Sequence, residues 1–110
     1  MADLEELIDR HLDNIEINFD PQSDTYYIII FYIRNNDDDN GMRYDIIGPL
    51  SLYDVSHNST AIYEFMKESL QDIGLCKIRI VKGSPLFTNH RLVIYPTVSV
   101  YVEVMKQLIE

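Results

Sequence analysis

Residues 25–34, Thr-Tyr-Tyr-Ile-Ile-Ile-Phe-Tyr-Ile-Arg, constrain the fold more than any other segment. Successive side chains of a strand point to opposite faces. Tyr26, Ile28, Ile30 and Tyr32 therefore share one face, and Tyr27, Ile29, Phe31 and Ile33 the other. Both faces are apolar. A strand of this kind belongs in the middle of a sheet with cover on both sides, or with one side covered by a partner. As an open edge it would invite aggregation.

The rest of the chain is read around this strand. A chain of 110 residues makes one domain, 1–110, and buries about two-thirds of its unfolded surface. Leu4, Leu7, Ile8, His11 and Leu12 form a stripe at helical spacing, which predicts a helix over 3–13 with Asp3 and Glu6 at capping-box spacing. Residues 15–19 alternate as Ile-Glu-Ile-Asn-Phe and predict a strand. Residues 20–24 form a turn. Residues 35–41 form a polar tip whose Asn40-Gly41 pair suits a hairpin turn. A third strand is expected over 42–47, broken by Gly48-Pro49, with a short extended piece over 50–55. Asn58, Ser59 and Thr60 offer caps for a second helix over 60–73, with Gly74 in the C-cap position. Residues 76–81 alternate, placing Cys76, Ile78 and Ile80 inward and Lys77 and Arg79 on the opposite face. Gly83-Ser84-Pro85 begins a loop, residues 91–95 make a strand, and Thr97 caps a last helix carrying Val98, Tyr101, Val102, Met105, Leu108 and Ile109. The expected class is α+β: a mainly antiparallel sheet of about five strands with three helices, in the order α-β-β-β-α-β-β-α.

Charge divides the chain. Residues 1–72 hold sixteen of the eighteen acidic residues against four basic ones, a balance of −12, whereas residues 73–110 hold five basic residues against two acidic ones, a balance of +3. The net charge of −9 repels free nucleic acid and anionic membranes. No apolar run approaches the ~20 residues that span a bilayer. The first residues, Met1-Ala2-Asp3-Leu4-Glu5-Glu6, lack the basic start of a signal peptide, and a single cysteine excludes an internal disulfide framework. A cytoplasmic location is the expectation.

Catalytic signatures are weak. Asn36, Asp38, Asn40 and Gly41 match the opening of a calcium loop, but its last ligand position falls on Ile47 and its flanks read as strands. His57 follows Asp54 by three residues and neighbours Ser56 and Ser59, without a nucleophile elbow or an oxyanion loop. His11 and His90 stand apart, so no three ligands converge in sequence on a metal. Cys76 beside Lys77 could have a lowered thiol pKa, yet its alternation places it in the core. None of the four glycines forms a phosphate-binding loop. No catalytic, metal-ligating or cofactor-binding residue is assigned, and no cofactor is expected.

The pattern fits a non-enzymatic interaction protein that presents acids to a basic, nucleic-acid-handling protein. The candidate contact residues are Asp37, Asp38, Asp39 and Asn40 of the tip, then Tyr44 and Asp45, Asp20 and Asp24 of the first turn, and Glu5, Glu6 and Asp9 of the first helix. Their carboxylates can stand in for phosphates in a groove lined with arginine and lysine. Tyrosines beside acids add contact area with a polar handle. The alternative is a structural or assembly subunit of a phage particle or homo-oligomer, in which the doubly apolar strand and the valine-rich last segment bury surface between copies. A third possibility is nucleic-acid contact through the basic patch Lys77, Arg79, Lys82, His90 and Arg91. If the fold holds the acidic and basic regions on different faces, screening over about 8 Å makes them two separate contact surfaces.

In overall character the chain resembles small phage-borne inhibitors of bacterial defence, the anti-CRISPR proteins, and the immunity proteins that plug toxic nucleases. These too are short acidic α+β domains without catalytic motifs. The resemblance is one of class and transfers no residue role; it implies a nuclease or CRISPR effector as the basic partner. The order helix, three strands, helix over 3–73 also resembles a double-stranded-RNA-binding domain, but the second helix carries Glu64, Glu68 and Asp72 against one Lys67, the wrong charge for that function.

Overall fold

The computed structural model describes residues 4–34, 42–69, 73–86 and 93–109. The tip residues Asp37, Asp38, Asp39 and Asn40, and the basic residues His90 and Arg91, lie outside them. The elements are α1 (Leu4–Glu16), β1 (Phe19–Asp20), β2 (Tyr26–Arg34), β3 (Met42–Leu50), α2 (Leu52–Ser69), β4 (Ile73–Lys82), β5 (Ser84–Pro85), β6 (Ile94–Tyr95) and α3 (Val98–Ile109). The class is α+β, with three helices as expected. The main sheet has the order β4-β2-β3-β6, with β2 antiparallel to both neighbours and β6 parallel to β3. β1 and β5 form a separate antiparallel pair.

β2 lies inside the sheet, and each of its faces contributes to a different core. Tyr27, Ile29 and Phe31 pack with Ile8 and Leu12 of α1, Phe19, Ile46 and Val81. Ile28, Ile30 and Tyr32 pack with Val55, Ile62 and Met66 of α2 and Tyr101 and Met105 of α3. The apolar faces of β2 are thus covered within one copy of the chain. The tyrosine- and isoleucine-rich strand can be apolar throughout because it sits between two helical layers.

Several local expectations need correction. Ser84 and Pro85 pair with β1 instead of opening a loop, and Ile80 is exposed rather than inward. Residues 15 and 16 continue α1 rather than opening a strand, because Ile15 follows Ile8 and Leu12 on the stripe that packs against β2. Five alternating residues fit either period, and the core contact decides. Only Phe19 and Asp20 are extended, and Ile17 stays exposed.

Gly48-Pro49 does not end β3. The register slips by one residue there: Ile28 faces Ile47, and Tyr26 faces Leu50. This bulge accommodates proline in the strand. Gly48 adopts φ 153°, and a side chain in its place would meet the Tyr27 ring at 2.5 Å.

The expected extended piece over 50–55 is the start of α2, eight residues earlier than the sequence-based start at 60. Ser51 is the cap, its Oγ accepting the Asp54 amide at 3.1 Å. The polar run His57-Asn58-Ser59-Thr60 is helical. His57 Nδ1 donates to the Tyr53 carbonyl at 2.9 Å and Asn58 Nδ2 to the Asp54 carbonyl at 2.7 Å, so these residues bond back along the helix instead of ending it.

Ile73 and Gly74 belong to β4, not to a helix end. Arg34 faces Ile73 while Ile33 faces Leu75, leaving Gly74 as the extra residue of a second bulge. The last helix forms as expected: Thr97 Oγ1 accepts the Val100 amide at 3.1 Å, and Tyr101 and Met105 are buried. Tertiary cover overrides the strand propensity of its valines.

Candidate interaction site

β4 carries the chemistry of this site through its alternation. Leu75 and Val81 pack on the α1 side and Cys76 and Ile78 on the α2 side. Lys77 and Arg79 consequently face α1. α1 carries Glu5, Glu6, Asp9, Asp13 and Glu16 against Arg10. Lys77 Nζ lies 3.1 Å from Asp9 Oδ1. Arg79 pairs with Asp13, reaches Asp9 Oδ1 at 3.6 Å, and reaches Glu16 Oε2 at 3.4 Å. Lys82 Nζ is 3.7 Å from Asp24 Oδ1. Among the described residues, the cations of β4 therefore do not lie apart from the acidic region: they meet carboxylates of the N-terminal half directly.

Among the described residues β4 has one strand neighbour, β2, and no strand pairs with its outer edge. A groove of ≈ 660 Å³ follows this edge. Residues 75–80 form its floor, Glu5, Asp9 and Leu12 of α1 one wall, and Ser59, Thr60 and Tyr63 of α2 the other. Tyr63 and Ile80 expose 40 % and 44 % of their surface, an apolar lining beside Glu5 and Asp9 on one side and Lys77 and Arg79 of the floor, which pair with Asp9. The charge pattern points to Glu5 and Asp9; the α2 wall has no such signal, since Ser59 and Thr60 read as helix caps and Tyr63 as part of the helix that follows.

No family model, curated protein or solved structure matches the chain.

The other predicted contact residues are scattered. Glu6 is exposed on α1, and Tyr44 is exposed on β3 at 43 %. Asp24 is almost fully exposed. Asp20 Oδ1 accepts the Gln22 amide at 3.0 Å and shapes its own turn. Asp45 differs from the exposed acids. Its Oδ2 accepts the Tyr101 hydroxyl proton at 2.7 Å, and Tyr32 donates to it as well. Burial raises its pKa, opposed by these two bonds and by Arg43. The Tyr101 phenol is pushed up in turn, first by burial and then by the Asp45 charge. Tyr101 also touches Met66 Sδ at 3.5 Å and packs edge-on to Tyr95, with ring centroids 5.0 Å apart.

Cys76 is buried, and burial raises its thiol pKa; the cation that opposes this is Lys67 of α2 rather than the sequence neighbour Lys77, which faces the other way. His57 lies in α2 stacked on Tyr53, with centroids 3.8 Å apart. The ring of His11 stacks on Phe31 at 6.1 Å. Among the described residues no three His, Cys, Asp or Glu side chains converge as a metal site would require, and no helix is long and apolar enough to cross a membrane.

Proposed function

We propose that this chain is a non-enzymatic interaction protein that binds a basic, nucleic-acid-handling protein and inhibits it. One observation supports this function: the cations Lys77, Arg79 and Lys82 are engaged by carboxylates of the same chain, so these three do not stand as a separate basic patch on a chain whose net charge is −9. Glu6, Asp54, Glu64, Glu68 and Glu103 remain exposed without an ion pair among the described residues. A surface so charged attracts a complementary basic surface over about a Debye length, ~8 Å at physiological salt, and speeds the encounter. A nuclease or CRISPR effector, whose nucleic-acid groove is lined with arginine and lysine, is the class of partner that such a surface fits. The same ion pairs weigh against nucleic-acid contact through Lys77, Arg79 and Lys82. The covered faces of β2 take that strand out of the assembly alternative, which then rests on the last segment, where Val100 and Leu108 are exposed.

The test is capture of partners from the native host or its target cell, followed by mass spectrometry, with a charge-neutral variant alongside. Asp37→Asn, Asp38→Asn and Asp39→Asn together should weaken retention of a basic protein and leave thermal stability nearly unchanged. Retention of basic proteins that is indifferent to this triple change removes the tip from the interface. Capture of no basic protein removes the function itself.

A further inference from the structure

We infer that α3 is a separately releasable element, docked over the Asp45 carboxylate and loosened when that carboxylate ionises, while β4, β2 and β3 stay paired. This release is independent of the binding function proposed above.

α3 is lightly held. Among its described side chains Tyr101 and Met105 are the buried ones, whereas β2 buries Tyr27 through Tyr32 without a break. Pro96 and Thr97, both exposed, form the joint between β6 and α3. The helix itself depends on docking. It has 12 residues, near the lower limit for a helix that stands alone in water. Val98, Val100, Val102 and Val104 are β-branched and form helix poorly. Leaving the sheet therefore means unwinding, and docking and helix formation are one cooperative step.

What α3 covers decides when it leaves. Tyr101 lies on Asp45 Oδ2 at 2.7 Å, against Met66 Sδ of α2 and edge-on to Tyr95 of β6. Among the described residues, the titratable and charged groups acting on Asp45 are Tyr101 of α3, Tyr32 of β2, Arg43 of β3 and Tyr95 of β6; α2 brings the uncharged Met66. The Tyr101 and Tyr32 hydroxyls and the Arg43 cation favour the charged carboxylate, but burial outweighs them. Release of α3 uncovers the carboxylate and lets water solvate its charge. Docking is therefore strongest below the ordinary carboxylate pKa, where Asp45 is neutral in both states. It weakens as pH rises through the higher docked value.

Amide hydrogen exchange of the full chain, followed by NMR and expressed as protection relative to the unfolded rate, tests this. The amides of Val102 to Leu108 are expected to exchange through an opening of their own. Their protection should lie at least about tenfold below that of Ile28 to Phe31 and should respond more weakly to low urea. It should fall from about pH 4 to about pH 7, by no more than about tenfold per pH unit, the limit for one proton. In Asp45→Asn that fall should vanish while the separate opening remains. Tyr101→Phe should lower α3 protection about tenfold near neutral pH and less in acid, because the lost donor serves the charged carboxylate best. Equal protection and equal urea response in α3 and β2 overturns the separate release. A pH response that persists in Asp45→Asn overturns the role of Asp45. A Tyr101→Phe effect of one size at every pH reduces that contact to packing and overturns its coupling to the carboxylate.

Discussion

Tyr101 of α3 donates its hydroxyl proton to Asp45 of β3 at 2.7 Å, joining the last helix to the sheet through a carboxylate withdrawn from solvent. The residues are 56 apart in sequence. Tyr101→Phe removes this donor and leaves the carboxylate dependent on Tyr32. A loss of about 1–3 kcal/mol is expected, the usual range for a lost hydrogen bond to a partly buried charged group. Urea unfolding near neutral pH measures it, and a variant as stable as the parent would show that the bond contributes nothing net.

The same pair sets a pH dependence. Asp45 has a folded pKa above its unfolded value. Its contribution to stability is therefore fully present below the unfolded pKa and is lost as pH rises through the folded pKa. Asp45→Asn cannot ionise, so its stability relative to the parent should increase from acidic to neutral pH. In Tyr101→Phe the Asp45 pKa rises further, and the loss extends to higher pH. Unfolding curves across a pH series test both directions; a constant difference between parent and Asp45→Asn would contradict the assignment.

Arg79 meets Asp9, Asp13 and Glu16 from one strand position and ties α1 to β4. Arg79→Gln keeps most of the packing and removes the charge. These carboxylates are partly exposed, so the expected loss is about 1 kcal/mol at low salt. It should shrink as salt screens the charges. Thermal denaturation at low and high salt gives the comparison, and a salt-independent loss would indicate packing rather than charge.

Gly83 has φ 135° and lies where a side chain would run into the Asp20 carbonyl. Its amide donates to the Thr25 carbonyl at 2.7 Å, and its own carbonyl accepts the Thr25 hydroxyl at 2.9 Å. Gly83→Ala forces strain at a backbone position fixed from both sides and should cost about 1–3 kcal/mol. A melting temperature unchanged by this substitution would refute the conformation.

Ser51 caps α2 through the Asp54 amide. Ser51→Ala should lose about 1 kcal/mol, and Ser51→Asp should retain most of it. If Ser59→Ala were instead the more damaging change at a cap, the helix would begin where the polar run first suggested.

Much of the fold was legible because its signals are long. The doubly apolar segment 25–34 announced an interior strand, and the period of residues 98–109 announced a helix despite its valines. Short signals failed. Residues 15–19 satisfy two periods at once, the polar run 57–60 hides the Val55, Ile62 and Met66 stripe, and Gly48-Pro49 resembles a chain break. In each case a contact distant in sequence decided the outcome.

The sequence alone determined that residues 25–34 carry two apolar faces and that the chain carries an excess of acid, because the first follows from residue order along a strand and the second from residue counts, neither of which packing can change. The tertiary structure decided where the charges act. Alternation put Lys77 and Arg79 on one face of β4, and only the packing of α1 on that face could bring Asp9, Asp13 and Glu16 within reach. It likewise turned Asp45 toward α3 and, among the described residues, gave β4 the single strand neighbour β2, since neighbours in a sheet are set by packing rather than by local composition.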